Sequence, residues 1–197
     1  MLDHVFTDAI GAIRDAFERA LLERQAFEER FNVDVLLGDT TWETTYCLPG
    51  EGDDPRVQVD ITMVWPTWAQ TAYRSWYIGE DIDDPPRISI ELAFRVQHLA
   101  TRPDPAALLA SFPDRSADIG PDPLRRDTTT LELIHDFDMI EQGWAIETTF
   151  VGDYELPESA LADGSEIDEH LGGLGVWIAS LLVKLGDLDV EYLSRED

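Results

Sequence analysis

Lysine is almost missing from this sequence. Lys184 is the only one, and every other strong cation is arginine. Together they number 14 against 41 Asp and Glu, for a formal charge of −27. Such a chain repels polyanions, so no nucleic acid or anionic membrane surface is expected as a partner. The acids are dispersed over the whole length rather than collected in a block. Acid-rich, lysine-poor composition resembles that of salt-accumulating halophiles, whose proteins stay soluble and screened in a salty cytosol. An acidic protein built to hold something basic is the competing reading, and the dispersal favours the first.

Cysteine is nearly as scarce. Cys47 stands alone, which excludes an internal disulfide and a CxxC metal or redox pair. It falls in a strand pattern and is expected as a small core or half-buried residue. Long apolar runs are missing too: Val176–Val183 is the longest, far too short to cross a bilayer. The opening MLDHVFTDAI carries acids where a secretion signal needs cations and an apolar run, so a cytoplasmic protein is expected. There is no GxSxG elbow, P-loop or GxGxxG. Gly172, Gly173 and Gly175 fall inside an apolar helical pattern and read as close helix packing, against a sheet or a second copy of the helix.

Against these gaps stands one regular stretch, Arg87 to Gln97. Ile88, Ile90, Leu92, Phe94 and Val96 alternate with Arg87, Ser89, Glu91, Ala93, Arg95 and Gln97. Period two over that length marks a strand with one buried and one wetter face. Residues 40–48 and 57–65 alternate in the same way and read as a hairpin across a Pro- and Gly-rich loop. Residues 71–78 are strand-like, although a short helix would also accept them. Residues 127–135 and 143–151 read as two more strands joined by a turn at 136–142, and 113–126 as loop.

Helices bracket this set. Phe6, Ile10, Ile13, Phe17, Leu21 and Phe27 form an apolar stripe that predicts one helix over 3–31, with Asp3 as cap. Asp104 followed by Pro105 starts a short helix. Leu171, Leu174, Ile178, Leu181, Leu182 and Leu185 give the stripe of a last helix, capped by Asp163 or Ser165 and closed near Gly186. At 197 residues the chain fits a single domain spanning 1–197. The expected fold is α+β in two layers: an antiparallel sheet of about five to six strands covered by N- and C-terminal helices.

Chemistry-bearing constellations are thin. Asp81, Asp83 and Asp84 lack the glycine and twelfth-position acid of a calcium loop, those places holding Pro86 and Leu92. Glu166 and His170 share a helix face but have no second histidine nearby, and read as an acid-rich first turn. His135 beside Asp136 is a strand end rather than a catalytic pair. No metal, cofactor or catalytic residue is expected. Aromatics are the better hint. Trp42, Tyr46, Trp65, Trp68, Tyr73, Trp76 and Tyr77 cluster in sequence, a composition that suits either core packing or an interface. Arg74, Arg87 and Arg95 read as internal counterions or as a cationic strip for an acidic ligand. The candidate partner-binding residues are therefore Trp65, Trp68, Tyr73, Trp76, Arg87 and Arg95.

The order helix, strands, helix, strands, helix, with the Leu156–Pro157 turn after the Trp144–Val151 strand, resembles the type III secretion chaperone-like fold, including YbjN-type proteins. That resemblance implies a non-enzymatic, dimeric binder of protein segments. Two functions are carried forward. One is an interaction or chaperone-like protein with a protein partner, or with itself as a homodimer. The other is a small-ligand binder or enzyme whose sheet curves over a cavity lined by Trp65, Trp76 and Trp144.

Overall fold

The computed structural model describes residues 4–21, 27–36, 38–48, 55–135 and 142–193, with the backbone alone for 21 and 27–36. The expected cap Asp3, the turn at 136–141 and most of the 49–55 loop lie outside the described residues. The fold is α+β. One antiparallel sheet has β1 (Phe27–Leu36), β2 (Asp39–Cys47), β3 (Val57–Trp65), β4 (Arg87–Leu99), β5 (Arg115–Ile119), β6 (Asp122–His135) and β7 (Gln142–Glu155). Their order across the sheet is β1-β2-β3-β4-β7-β6-β5. β4 is central, three strands from either edge.

The alternation in β4 does what period two predicts. Ile88, Ile90, Leu92, Phe94 and Val96 are all buried at 2 % exposure or less. Val57, Val59, Ile61, Met63 and Trp65 of β3 and Trp42 and Tyr46 of β2 point to the same side. Two long helices, α1 (His4–Leu21) and α5 (Ser165–Gly186), cover that side. Phe17 of α1 stacks on Tyr46 at 3.9 Å between centroids, and Phe6 stacks on Trp65. Trp177 of α5 packs edge-on against Phe94 and Phe150. Burying side chains of this size stabilises the fold by about 1.5–3 kcal/mol each before the entropy of ordering is counted.

The small-residue side of α5 meets α1. A Cβ built on Gly175 would lie 2.9 Å from Ala16 Cβ and from the Ile13 carbonyl oxygen. Gly175 is therefore the contact that lets the two helix axes approach, whereas Gly172 and Gly173 face open space.

Four expectations are corrected. The first helix ends at Leu21 instead of running to 31, and Phe27, Glu28 and Glu29 belong to edge strand β1. Residues 71–78 are not a strand: α2 (Thr67–Tyr77) is a helix entered through Pro66. Its first turn is capped from far away, because the Asp39 carboxylate accepts from both Thr67 N–H and Thr67 Oγ1, at 2.7 and 2.8 Å. Ala69, Gln70 and Tyr73 then turn inward at helical spacing. Residues 113–126 are not loop. Gly120 takes a φ of 84°, which a tight hairpin turn needs at its first central position, so Gly120–Pro121 folds β5 onto β6. A short helix, α4 (Glu158–Ala162), precedes α5, whose N-cap is Gly164 with no side-chain cap, rather than Asp163 or Ser165; Asp163 accepts from Ser165 N–H. The short helix α3 (Pro105–Leu109) starts as expected, with Asp104 accepting from Ala106 N–H at 3.0 Å.

Candidate binding surface

The face of the sheet opposite α1 and α5 carries no helix among the described residues. Its side chains are Thr41, Glu43 and Thr45 on β2, Gln58, Asp60, Thr62 and Val64 on β3, and Ser89, Glu91, Ala93 and Arg95 on β4. β7 adds Glu147, Thr149, Val151, Asp153 and Glu155. An antiparallel sheet tolerates a wet face of this kind, and these mostly polar side chains suit it.

Local hydrogen bonds hold much of it in place. Thr45 Oγ1 donates to Asp60, Ser89 Oγ to Asp153 at 2.7 Å, and Thr128 N–H to Thr149 Oγ1. Arg95 Nη1 donates to Glu147 at 3.1 Å, Nη2 to Glu132 at 3.3 Å, and Nε to Gln97. Arg95 is thus an internal counterion tying β4, β7 and β6 together. Arg87 is different. Its Nε is ion-paired with Glu155 at 3.6 Å but is buried without a hydrogen-bond partner.

Two shallow depressions lie side by side on this face. The first, about 340 Å³, is walled mainly by apolar surface, with Thr62, Val64, Ser89 and Val151 among its lining. The second, about 310 Å³, is more polar and lies between Arg87 and Arg125, with Asp122, Asp153 and Glu155 on its walls. They share Val151, Gly152 and Asp153.

The six residues singled out from sequence separate. Trp65 and Tyr73 belong to the core at 1 % and 5 % exposure. Trp76 is half-buried, stacked near Tyr73, and its indole N–H reaches Glu158. Trp68 is exposed on α2, as are Tyr77 and Ile78 beyond it. Arg87 and Arg95 share the uncovered face, away from the aromatics. The Trp65, Trp76 and Trp144 trio lines no common space: Trp65 ends β3 beside β4's start, while Trp144 pairs with Leu99 at the other end of β4, under the Arg102 guanidinium. Sequence reasoning missed Arg125, Val151 and Asp153. The alternation in 143–151 placed Val151 on a strand, but only the β6–β7 register puts it opposite Arg125.

The remaining constellations have structural jobs. His170 Nδ1 pairs with Tyr154 OH at 3.1 Å, and Glu166 accepts from Ser159 Oγ. Burial, and secondarily the Glu166 charge, push the Tyr154 phenol up to about 12. His4 pairs with Tyr73 in the same way at the start of α1. Among the described residues no group of three or more His, Cys, Asp or Glu could hold a metal ion, and no helix is long and apolar enough to cross a membrane. Compared with known families, curated proteins and solved structures, the chain matches none.

Proposed function

We propose that this protein is a non-enzymatic, chaperone-like binding protein of a salt-adapted cytosol, taking a protein partner or a second copy of itself on the uncovered face of its sheet. The observation that carries this reading is the asymmetry of the two faces. One is sealed by α1 and α5 over a packed interior in which Trp42, Trp65, Tyr154, Phe6, Phe17, Phe94 and Phe150 are fully buried. The other is broad, open, and holds both depressions. A sheet face of this kind offers a large, pre-ordered surface at little entropic cost. The competing reading, a small-ligand binder or enzyme with an aromatic-lined cavity, needs Trp65, Trp76 and Trp144 to converge, and they stand apart.

The test is affinity capture from the native cytosol at native salt, with recovered material analysed for protein and for small molecules. A surface-reversal variant, Glu43→Arg with Glu91→Arg and Val151→Arg, alters only exposed positions on the face. A protein recovered with the wild type and lost with this variant supports the reading. A partner retained by the variant, or recovery of a small molecule without protein, overturns it.

A further inference from the structure

We propose that the depression between Arg87 and Arg125 receives the C-terminal carboxylate of a peptide whose last side chain is apolar. The inference rests on the uncovered face being the working surface, and it names the chemical group that surface recognises.

The first observation is a pair of arginines with unsatisfied donors where carboxylates abound. The chain has 41 acidic residues for 14 Lys and Arg, so an arginine without an acid is the exception. The Arg125 side chain is exposed and makes no hydrogen bond or ion pair among the described residues. Its directly opposite neighbour on β5 is Arg115, also exposed and also without a pair. Like charges placed opposite each other across a ladder destabilise the sheet. Across the depression, Arg87 is ion-paired with Glu155 at 3.6 Å, but its Nε is out of solvent with no acceptor within hydrogen-bond range. A bound acceptor would satisfy that donor and relieve the Arg115–Arg125 repulsion together.

The second observation selects the anion. Asp122, Asp153 and Glu155 share the walls with the two arginines. Their charge works against a dianion or a polyanion, and a planar monoanion remains. A carboxylate matches the guanidinium fork, two parallel N–H donors to two oxygens. The third observation supplies the rest of the ligand. The adjoining, mainly apolar depression shares Val151, Gly152 and Asp153 with the arginine site, so an apolar side chain next to the carboxylate has a place to go. Capture of a chain terminus also agrees with a partner that is a protein.

The experiment is calorimetric titration of the purified full chain, at fixed ionic strength, with N-acetyl-Ala-Ala-Val as the free acid. Its C-terminal amide, acetate and inorganic phosphate are titrated alongside. The expected result is a Kd of about 1 mM for the free acid, at least about tenfold weaker for the amide, acetate and phosphate. Arg125→Gln and Arg87→Gln each weaken the free acid about tenfold. Arg102→Gln, whose guanidinium sits over Trp144, leaves it unchanged. Arg125→Gln breaks no side-chain bond and removes the Arg115–Arg125 repulsion, so its thermal midpoint does not fall below the wild-type value. The proposal is overturned if the free acid does not bind, if the amide, acetate or phosphate binds as tightly, or if Arg125→Gln binds like the wild type. Because the probe is a purified peptide, its failure is distinct from a failure to capture a partner from cytosol.

Discussion

Arg95 and Glu147 stand directly opposite each other on the uncovered face, and the guanidinium donates to the carboxylate at 3.1 Å. The same guanidinium reaches over to Glu132 on β6, so one side chain spans three strands. A paired arginine of this kind is a brace rather than a receptor. Arg95→Gln is expected to cost about 1 kcal/mol in chemical denaturation, near the upper end for partly exposed ion pairs. It is expected to leave carboxylate-peptide affinity unchanged. A loss of affinity equal to that of Arg125→Gln would move Arg95 into the binding site.

Helix packing gives a second prediction. Gly175 lies against Ala16 and Ile13, with no room for a side chain. Gly175→Val forces α5 away from α1 and should cost about 1–3 kcal/mol by urea denaturation. Gly173→Ala, with open space beyond its Cβ, should be neutral to stabilising, since alanine favours the helix by up to about 1 kcal/mol. Equal effects at both sites would contradict this packing.

How far the fold could be read in the sequence follows from where each element draws its support. β4 was legible because its alternation is local and unbroken from Ile88 to Val96. The β2–β3 hairpin was legible for the same reason. α2 was not, because its cap comes from Asp39, 28 residues earlier, and a sequence window sees only AQTAYRSWY. The β1 edge was hidden because no proline interrupts the chain between the Phe6 to Leu21 stripe and Phe27, which follows that stripe at a spacing of six. β5 was hidden by the prolines around it, of which Pro121 here sits in the two-residue turn and Pro123 in β6. The surface was harder still. Trp65 and Tyr73 looked like interface residues by type and went to the core by register and helical phase. Arg115 and Arg125 are ten residues apart, and only the Gly120–Pro121 turn brings them face to face.

The Asp39 cap has a signature in pH. The Thr67 backbone N–H, and then its hydroxyl, hold the Asp39 carboxyl below its ordinary 3.8. A carboxyl lowered in the folded state stabilises above its unfolded pKa and loses that contribution as pH falls through its folded pKa. Asp39→Ala should therefore lower the urea midpoint at neutral pH, with the gap from wild type narrowing as pH drops below 3.8. A gap that is constant across that window would remove the charged cap from the account.

Charge makes a prediction for the whole molecule. A net charge of −27 favours expansion wherever it is unscreened. The screening length falls from about 10 Å at 0.1 M salt to about 3 Å at 1 M. Thermal and urea midpoints should rise steadily as KCl approaches molar levels. Midpoints that stay fixed between low and high KCl would remove salt adaptation.

The asymmetry of the sheet is tested most directly by thiol labelling in a Cys47→Ala background. Glu91→Cys places a thiol at the centre of the uncovered face, and Val176→Cys places one on the exposed side of α5. Both should react rapidly with a maleimide in buffer. In concentrated native cytosol at native salt, labelling of the Glu91→Cys thiol should slow severalfold while the Val176→Cys thiol keeps its rate. A Glu91→Cys thiol that is already slow in buffer, or that labels in cytosol as fast as the Val176→Cys thiol, would contradict the account.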